Sequence, residues 1–126
     1  MTLLNAFTTQ IKNLIIELYE VLPYNKEISV NKTAIELIIK TNPRLLYVAF
    51  NSYIMPFKKQ VLARDDNFFL SREVQPNGAI NKQIVGTLNI LKAIWPSLTS
   101  STRDSVWLYF AVLIKLHERI TAENAV

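Results

Sequence analysis

Cysteine is absent from the 126 residues. The chain can therefore form neither a disulfide nor a thiolate metal site, and a reducing compartment suits it. Histidine occurs once, as His117, beside Lys115, Glu118 and Arg119. Catalytic zinc sites typically take two or three histidines, so a single imidazole falls short. The same ring would also have to serve any serine triad, and no GxSxG elbow accompanies it. Glycine is limited to Gly78 and Gly86, which removes both GxxxxGK[ST] and GxGxxG and leaves little hairpin chemistry. No cofactor and no metal is expected.

Long apolar runs are missing too. The longest, VWLYFAVLI at 106–114, has nine residues, where crossing a bilayer takes about twenty. The opening MTLLNAFTTQIKNLIIELYE has no basic leading segment and no small-residue cleavage site, so the expectation is an intracellular protein that is not secreted. Charge is scarce: 19% of residues are charged, against a typical value of about 25%, and half are apolar. The net charge of +4 is spread thinly. Residues 1–50 carry five basic and four acidic side chains, 51–82 five and three, and 83–126 four and three. That is the composition of one well-cored domain over residues 1–126, with some apolar surface left for a partner.

What is present is helical periodicity. Leu4, Phe7, Ile11, Leu14, Ile15, Leu18 and Leu22 form a stripe that Pro23 ends. A second helix is expected over about 31–40, capped by Asn31 and burying Ala34, Leu37 and Ile38. Asn42-Pro43 restarts the chain, with the Asn42 side chain as cap and Leu46, Ala49, Phe50 and Tyr53 facing inward. Pro56 should end or kink that helix near Met55, and 57–64 can hold a short helical turn. Gln75-Pro76-Asn77-Gly78 is a turn. Ile80, Ile84, Leu88, Leu91 and Trp95 give a further stripe, ended by Pro96. Ser101 and Asp104 stand at capping-box spacing before a last helix over about 102–121. Its core at 106–114 is apolar on nearly all sides, which predicts a place at the centre of the bundle. The fold class is all-α: a compact bundle of five to six helices with an irregular middle segment.

That middle segment, PFKKQVLARDDNFFLSRE at 56–73, has the loudest chemistry. Asp65 and Asp66 are neighbours, pointing about 100 degrees apart on a helix, and do not make a general acid–base pair alone. They suit loop solvation, with Asp66 capping the turn at Phe68 and Phe69. Lys58, Lys59 and Arg64 offer a nucleic-acid contact, with Tyr47, Phe50, Tyr53 and Phe57 nearby for base stacking. Those aromatics also recur at the spacing of a helix's core face. Phe68, Phe69 and Leu70 cannot all face inward from one helix or strand face. Two arrangements fit them: an apolar anchor for another protein rimmed by Asp65, Asp66, Arg72 and Glu73, or a loop folded back onto its own bundle. Glu17, Glu20 and Glu36 could serve an unusual enzyme site, yet exposed carboxylates three apart on a helix ordinarily solubilise it.

The stretch PFKKQVLARDDNFFL at 56–70, with IWPSLTSSTRDSVWLYFAVLIKLHERI at 94–120, resembles small helical proteins of large DNA viruses of eukaryotes, of the iridovirus, marseillevirus and mimivirus kind. The two stretches cover about a third of the chain. The resemblance implies a virion or minor capsid component and carries no functional residue across. The combined expectation is a non-enzymatic structural or adaptor protein that binds other proteins, capsid proteins or itself. Phe68, Phe69, Leu70 and Arg72 are its contact residues. The runner-up is a nucleic-acid-associated protein using Lys58, Lys59 and Arg64.

Overall fold

Thr2 opens the first helix by accepting a hydrogen bond from the Asn5 amide on its hydroxyl, at 3.0 Å. Helix α1 then runs over Leu3–Val21 with Phe7, Ile11, Leu14, Ile15 and Leu18 buried on the face its periodicity marks. The computed structural model describes residues 2–71 and 82–124. Over these, α1 is followed by α2 (Lys26–Thr41), α3 (Arg44–Tyr53), α4 (Lys58–Leu62), α5 (Asn67–Leu70), α6 (Lys82–Ile94) and α7 (Ser100–Asn124). Single 3₁₀ turns at Met55–Phe57 and Trp95–Ser97 each contain a proline, which has no amide hydrogen to continue an α-helix. No strand occurs among the described residues. The all-α bundle is as expected. The turn at 75–78 and Ile80 lie outside the described residues.

Helix α2 departs from expectation in its start and its phase. Asn25, not Asn31, is the cap, accepting from the Ile28 amide at 3.1 Å. Ile28, Asn31 and Ile35 face inward, while Leu37 is exposed and Ala34 and Ile38 are half-buried. The inward position of Asn31 is itself a correction: it lies 8% exposed at the α2–α6 contact rather than at a helix end.

Three other caps move for local reasons. Asn42 supplies its backbone carbonyl, not its side chain, to α3, accepting from the Leu45 amide at 3.1 Å. The backbone of Asp66 is already helical (φ −56°, ψ −25°), and Asp65 takes the capping role through an Asx turn to the Asn67 amide at 3.0 Å. Thr99, not Ser101, caps α7 through its hydroxyl to the Thr102 amide at 3.2 Å, because the helix begins at Ser100.

Helix α1 rather than α7 is the hub, with α2, α3 and α7 packed on it; α6 closes against α2, α3 and α5, and α4 against α7. The 106–114 stretch is therefore one-sided: Val106, Trp107, Phe110, Leu113 and Ile114 are buried, while Leu108 and Val112 face outward. Its apolar circumference had suggested burial all round, but no helix covers that outer side among the described residues. Aromatic rings run through the core in series. Phe69 meets Trp107 and Phe110, Phe110 meets Phe50, Phe50 meets Phe7, and Tyr47 with His117 completes the line at the end of α7.

Candidate functional site

The knuckle between α4 and α5 is built around Arg64, whose φ of 55° places a non-glycine residue in the left-handed region. That reversal lets the Asp65 amide reach back to the Gln60 carbonyl at 3.1 Å, while Asp65 Oδ2 accepts from Gln60 Nε2 at 3.3 Å. The chain then turns into α5 with its aromatic side inward. Phe68 is 1% and Phe69 2% exposed. Phe69 lies 4.5 Å from the Trp95 ring, 5.0 Å from those of Trp107 and Phe68, and 5.6 Å from that of Phe110.

The two phenylalanines are core, which corrects their assignment as contact residues. A four-residue helix seats two neighbouring rings inward when two walls receive them, here the α6 end with Trp95 and the α7 face with Trp107 and Phe110. Leu70, the third of the run, is the one left out, at 40% exposure. Arg72 and Glu73 lie outside the described residues.

Two of the three candidate nucleic-acid cations have acidic neighbours within the chain. Lys58 pairs with Glu118 across α4 and α7, and Arg64 Nη1 lies 3.4 Å from Asp104 Oδ1. Lys59 is exposed on α4. Phe50 and Tyr53 sit inside the core, unable to stack on bases. Ion pairs this exposed contribute little stability, but each sets a negative charge beside a cation that a phosphate backbone would otherwise meet alone.

The acidic residues do not converge among the described residues. Glu36 pairs with Lys32 at 2.7 Å, and that hydrogen bond holds its carboxyl below the usual range. Glu17 lies near Tyr109, whose phenol is pushed up first by burial and then by the charges of Glu17 and Glu20. No group of three or more histidine or acidic side chains that could hold a metal ion occurs among the described residues. His117 is 2% exposed, with neither ring nitrogen in a hydrogen bond.

The feature that sequence reasoning missed lies on α2. A groove of about 550 Å³ opens between α2 and α6, lined by Val30, Ala34, Gly86 and Ile90, with Lys26 and Lys82 at its rim. Its floor is closed by a hydrogen-bonded cluster. Asn31 Nδ2 donates to the Gln83 carbonyl at 3.1 Å, and Thr87 Oγ1 lies 2.7 Å from Asn31 Oδ1 and 3.0 Å from the same carbonyl. A methyl group on Gly86 would stand 3.1 Å from Asn31 Nδ2, so glycine is what allows the two helices this approach. Along the outer side of α2, Val30 is 69% and Leu37 60% exposed. With Ala34 they form a second apolar stripe at i, i+4 and i+7, opposite in use to the buried Ile28, Asn31 and Ile35. The signal was present as an excess: α2 carries more apolar positions than one buried face requires.

No family model, curated protein or solved structure matches this chain.

Proposed function

We propose that this protein is a non-catalytic adaptor or structural component that holds another protein on the α2–α6 face. One observation carries the reading: Val30 and Leu37 stand well out of the surface along one face of α2, beside an open apolar groove. Large exposed apolar side chains in a contiguous row mark contact surfaces, whereas scattered ones do not. The occupant that fits is an amphipathic helix from a partner protein. A trough between two helices, lined by the small residues Ala34 and Gly86, accepts such a helix through anchors at three- and four-residue spacing. Lys26 and Lys82 at the rim outnumber Glu27 and are joined to no acidic residue among the described ones, so the helix would be acidic at its flanks. The burial of His117 among aromatic rings supports a non-catalytic role, since the chain's one imidazole does not reach solvent. The resemblance to proteins of large DNA viruses is what supports taking the partner to be a capsid protein.

The test is a pair of double variants on opposite faces, Val30→Asp with Leu37→Asp and Leu108→Asp with Val112→Asp, each purified natively with its bound proteins. All four residues are exposed, so helix content should stay unchanged in both. The first variant should lose a partner that the wild type and the second variant keep. Equal recovery by both variants, or co-purification of nucleic acid alone, would overturn the assignment.

A further inference from the structure

The one histidine sits where an ionisable ring is costly. His117 stacks on Tyr47 with ring centroids 4.3 Å apart and planes within 13°, and lies 5.6 Å from Phe50 and 6.2 Å from Phe7. Neither nitrogen is accessible and neither has a hydrogen-bond partner. Buried polar groups are nearly always paired, so a doubly unpaired imidazole stands out as an exception that calls for a physical account. Packing supplies one: the neutral ring is used as a flat aromatic filler that completes the row of rings at the end of α7.

The surroundings offer little to a proton. From α1 the ring meets Phe7, and from α3 it meets Phe50 and Tyr47. The guanidinium of Arg44 lies 5.2 Å from the centre of that Tyr47 ring, adding a positive charge nearby. From α4 the charged group is Lys58, which occupies the Glu118 carboxylate. On α7 itself Glu118 is exposed and committed to that lysine. The Tyr47 hydroxyl is hydrogen-bonded to Thr121, whose hydroxyl donates to the His117 carbonyl at 3.0 Å, and it makes no hydrogen bond to the ring.

The geometry points to His117 as a proton-operated latch: neutral, it seals the last turns of α7 against α1 and α3, and protonated, it releases them. The imidazolium has two donors, and neither ring nitrogen is hydrogen-bonded in the packed position, so charging the ring favours its leaving the aromatic row. A pocket of about 380 Å³ lined by Asn51, Met55, Glu118 and Thr121 adjoins the ring and gives it a route outward. Leaving would uncover Phe7 on α1 and Tyr47 and Phe50 on α3, none of which lines the α2–α6 groove. The latch does not depend on the docking role of α2.

Desolvation lowers the pKa of His117; Glu118 and the Tyr47 backbone pull upward more weakly, without completing a hydrogen bond to the ring. A histidine exposed by release titrates near 6.5, a typical value for an unperturbed imidazole. The released form therefore binds the proton more tightly. Release is suppressed above a pH of about 6.5 and grows as the pH falls below it, until the packed ring itself is protonated.

Because the chain has one histidine, its imidazole resonances titrate alone in a nuclear magnetic resonance experiment. The wild type should give a midpoint below 6.5. Amide exchange, corrected for intrinsic rates, should show the opening of the α7 end rising by up to about tenfold per pH unit below that value. His117→Phe, which keeps a flat ring, should abolish that acid-induced rise. A midpoint at or above 6.5, or the same acid loosening in His117→Phe, would overturn the proposal. If the variant does not fold, the wild type decides: loosening confined to the end of α7 supports the latch, and loosening spread evenly through the chain refutes it.

Discussion

Replacing Phe69 by alanine tests whether the middle segment is core or handle. The side chain is 2% exposed and faces four aromatic rings at centroid distances of 4.5 to 5.6 Å. Truncating a buried phenylalanine costs about 3–5 kcal/mol through lost transfer energy and the cavity left behind. Aromatic pairs add about 0.5–1.5 kcal/mol each beyond buried area, so a ring with four aromatic neighbours belongs at the upper end. A loss of about 4–5 kcal/mol is expected, about a quarter or more of the roughly 5–15 kcal/mol that holds a domain folded. Urea unfolding reads it directly. With a slope near 2 kcal/mol per molar, typical of a small domain, the midpoint falls by about 2 M while the slope stays the same. Leu70→Ala is the internal control. At 40% exposure it should cost about 1 kcal/mol or less. A Phe69→Ala loss below about 1.5 kcal/mol, or a Leu70→Ala loss of equal size, would refute the placement of these rings and return the segment to the surface.

Gly86→Ala gains about 0.8–1.0 kcal/mol of helix propensity but pushes a methyl group to 3.1 Å from Asn31 Nδ2, which the Gln83 hydrogen bond holds in place. The expected net result is a loss of about 1 kcal/mol by chemical denaturation, and a stabilised variant would show that Asn31 yields freely. Thr87→Val removes the hydroxyl from the same cluster and should cost about 1–2 kcal/mol, with Thr87→Ser recovering most of it in the same assay. Arg103 Nε donates to the Trp95 carbonyl at 3.0 Å with its guanidinium 5.6 Å from that indole's centre. Arg103→Ala should lower stability by about 1–2 kcal/mol, and Arg103→Lys, lacking the planar fork, should restore less than half in thermal melts.

The helices that sequence periodicity described best are those with one apolar face. In α1 and α3 the residues at three- and four-residue spacing are the ones the core takes, from Phe7 to Leu18 and from Leu46 to Tyr53. Proline placed the breaks correctly, because a missing amide hydrogen acts locally whatever the rest of the chain does. Caps were less legible. Asparagine, aspartate, serine and threonine cluster before α5 and before α7, and a shift of one or two residues selects another member of the cluster, as at Asp65 and Thr99. The Phe68-Phe69 pair was legible as an oddity but not as core. Its burial depends on Trp95 and Trp107, supplied from well downstream in the chain.

Helix α2 shows the deeper limit. Its sequence carries one stripe through Ile28, Asn31 and Ile35 and another through Val30, Ala34 and Leu37, both at helical spacing. By hydrophobicity alone the second is the better core face, since the first contains an asparagine. The chain buries the first because Asn31 finds two partners on α6, Gln83 at a separation of 52 residues and Thr87 at 56. Left unpaired, a buried amide would cost about 1–3 kcal/mol, and with both its oxygen and its nitrogen engaged that penalty is removed. The stripe left outside is then apolar by consequence, and it becomes the surface on which the proposed function rests. Which face of α2 is core and which is interface is decided by a hydrogen-bond pairing between distant positions, and no window of local sequence contains it.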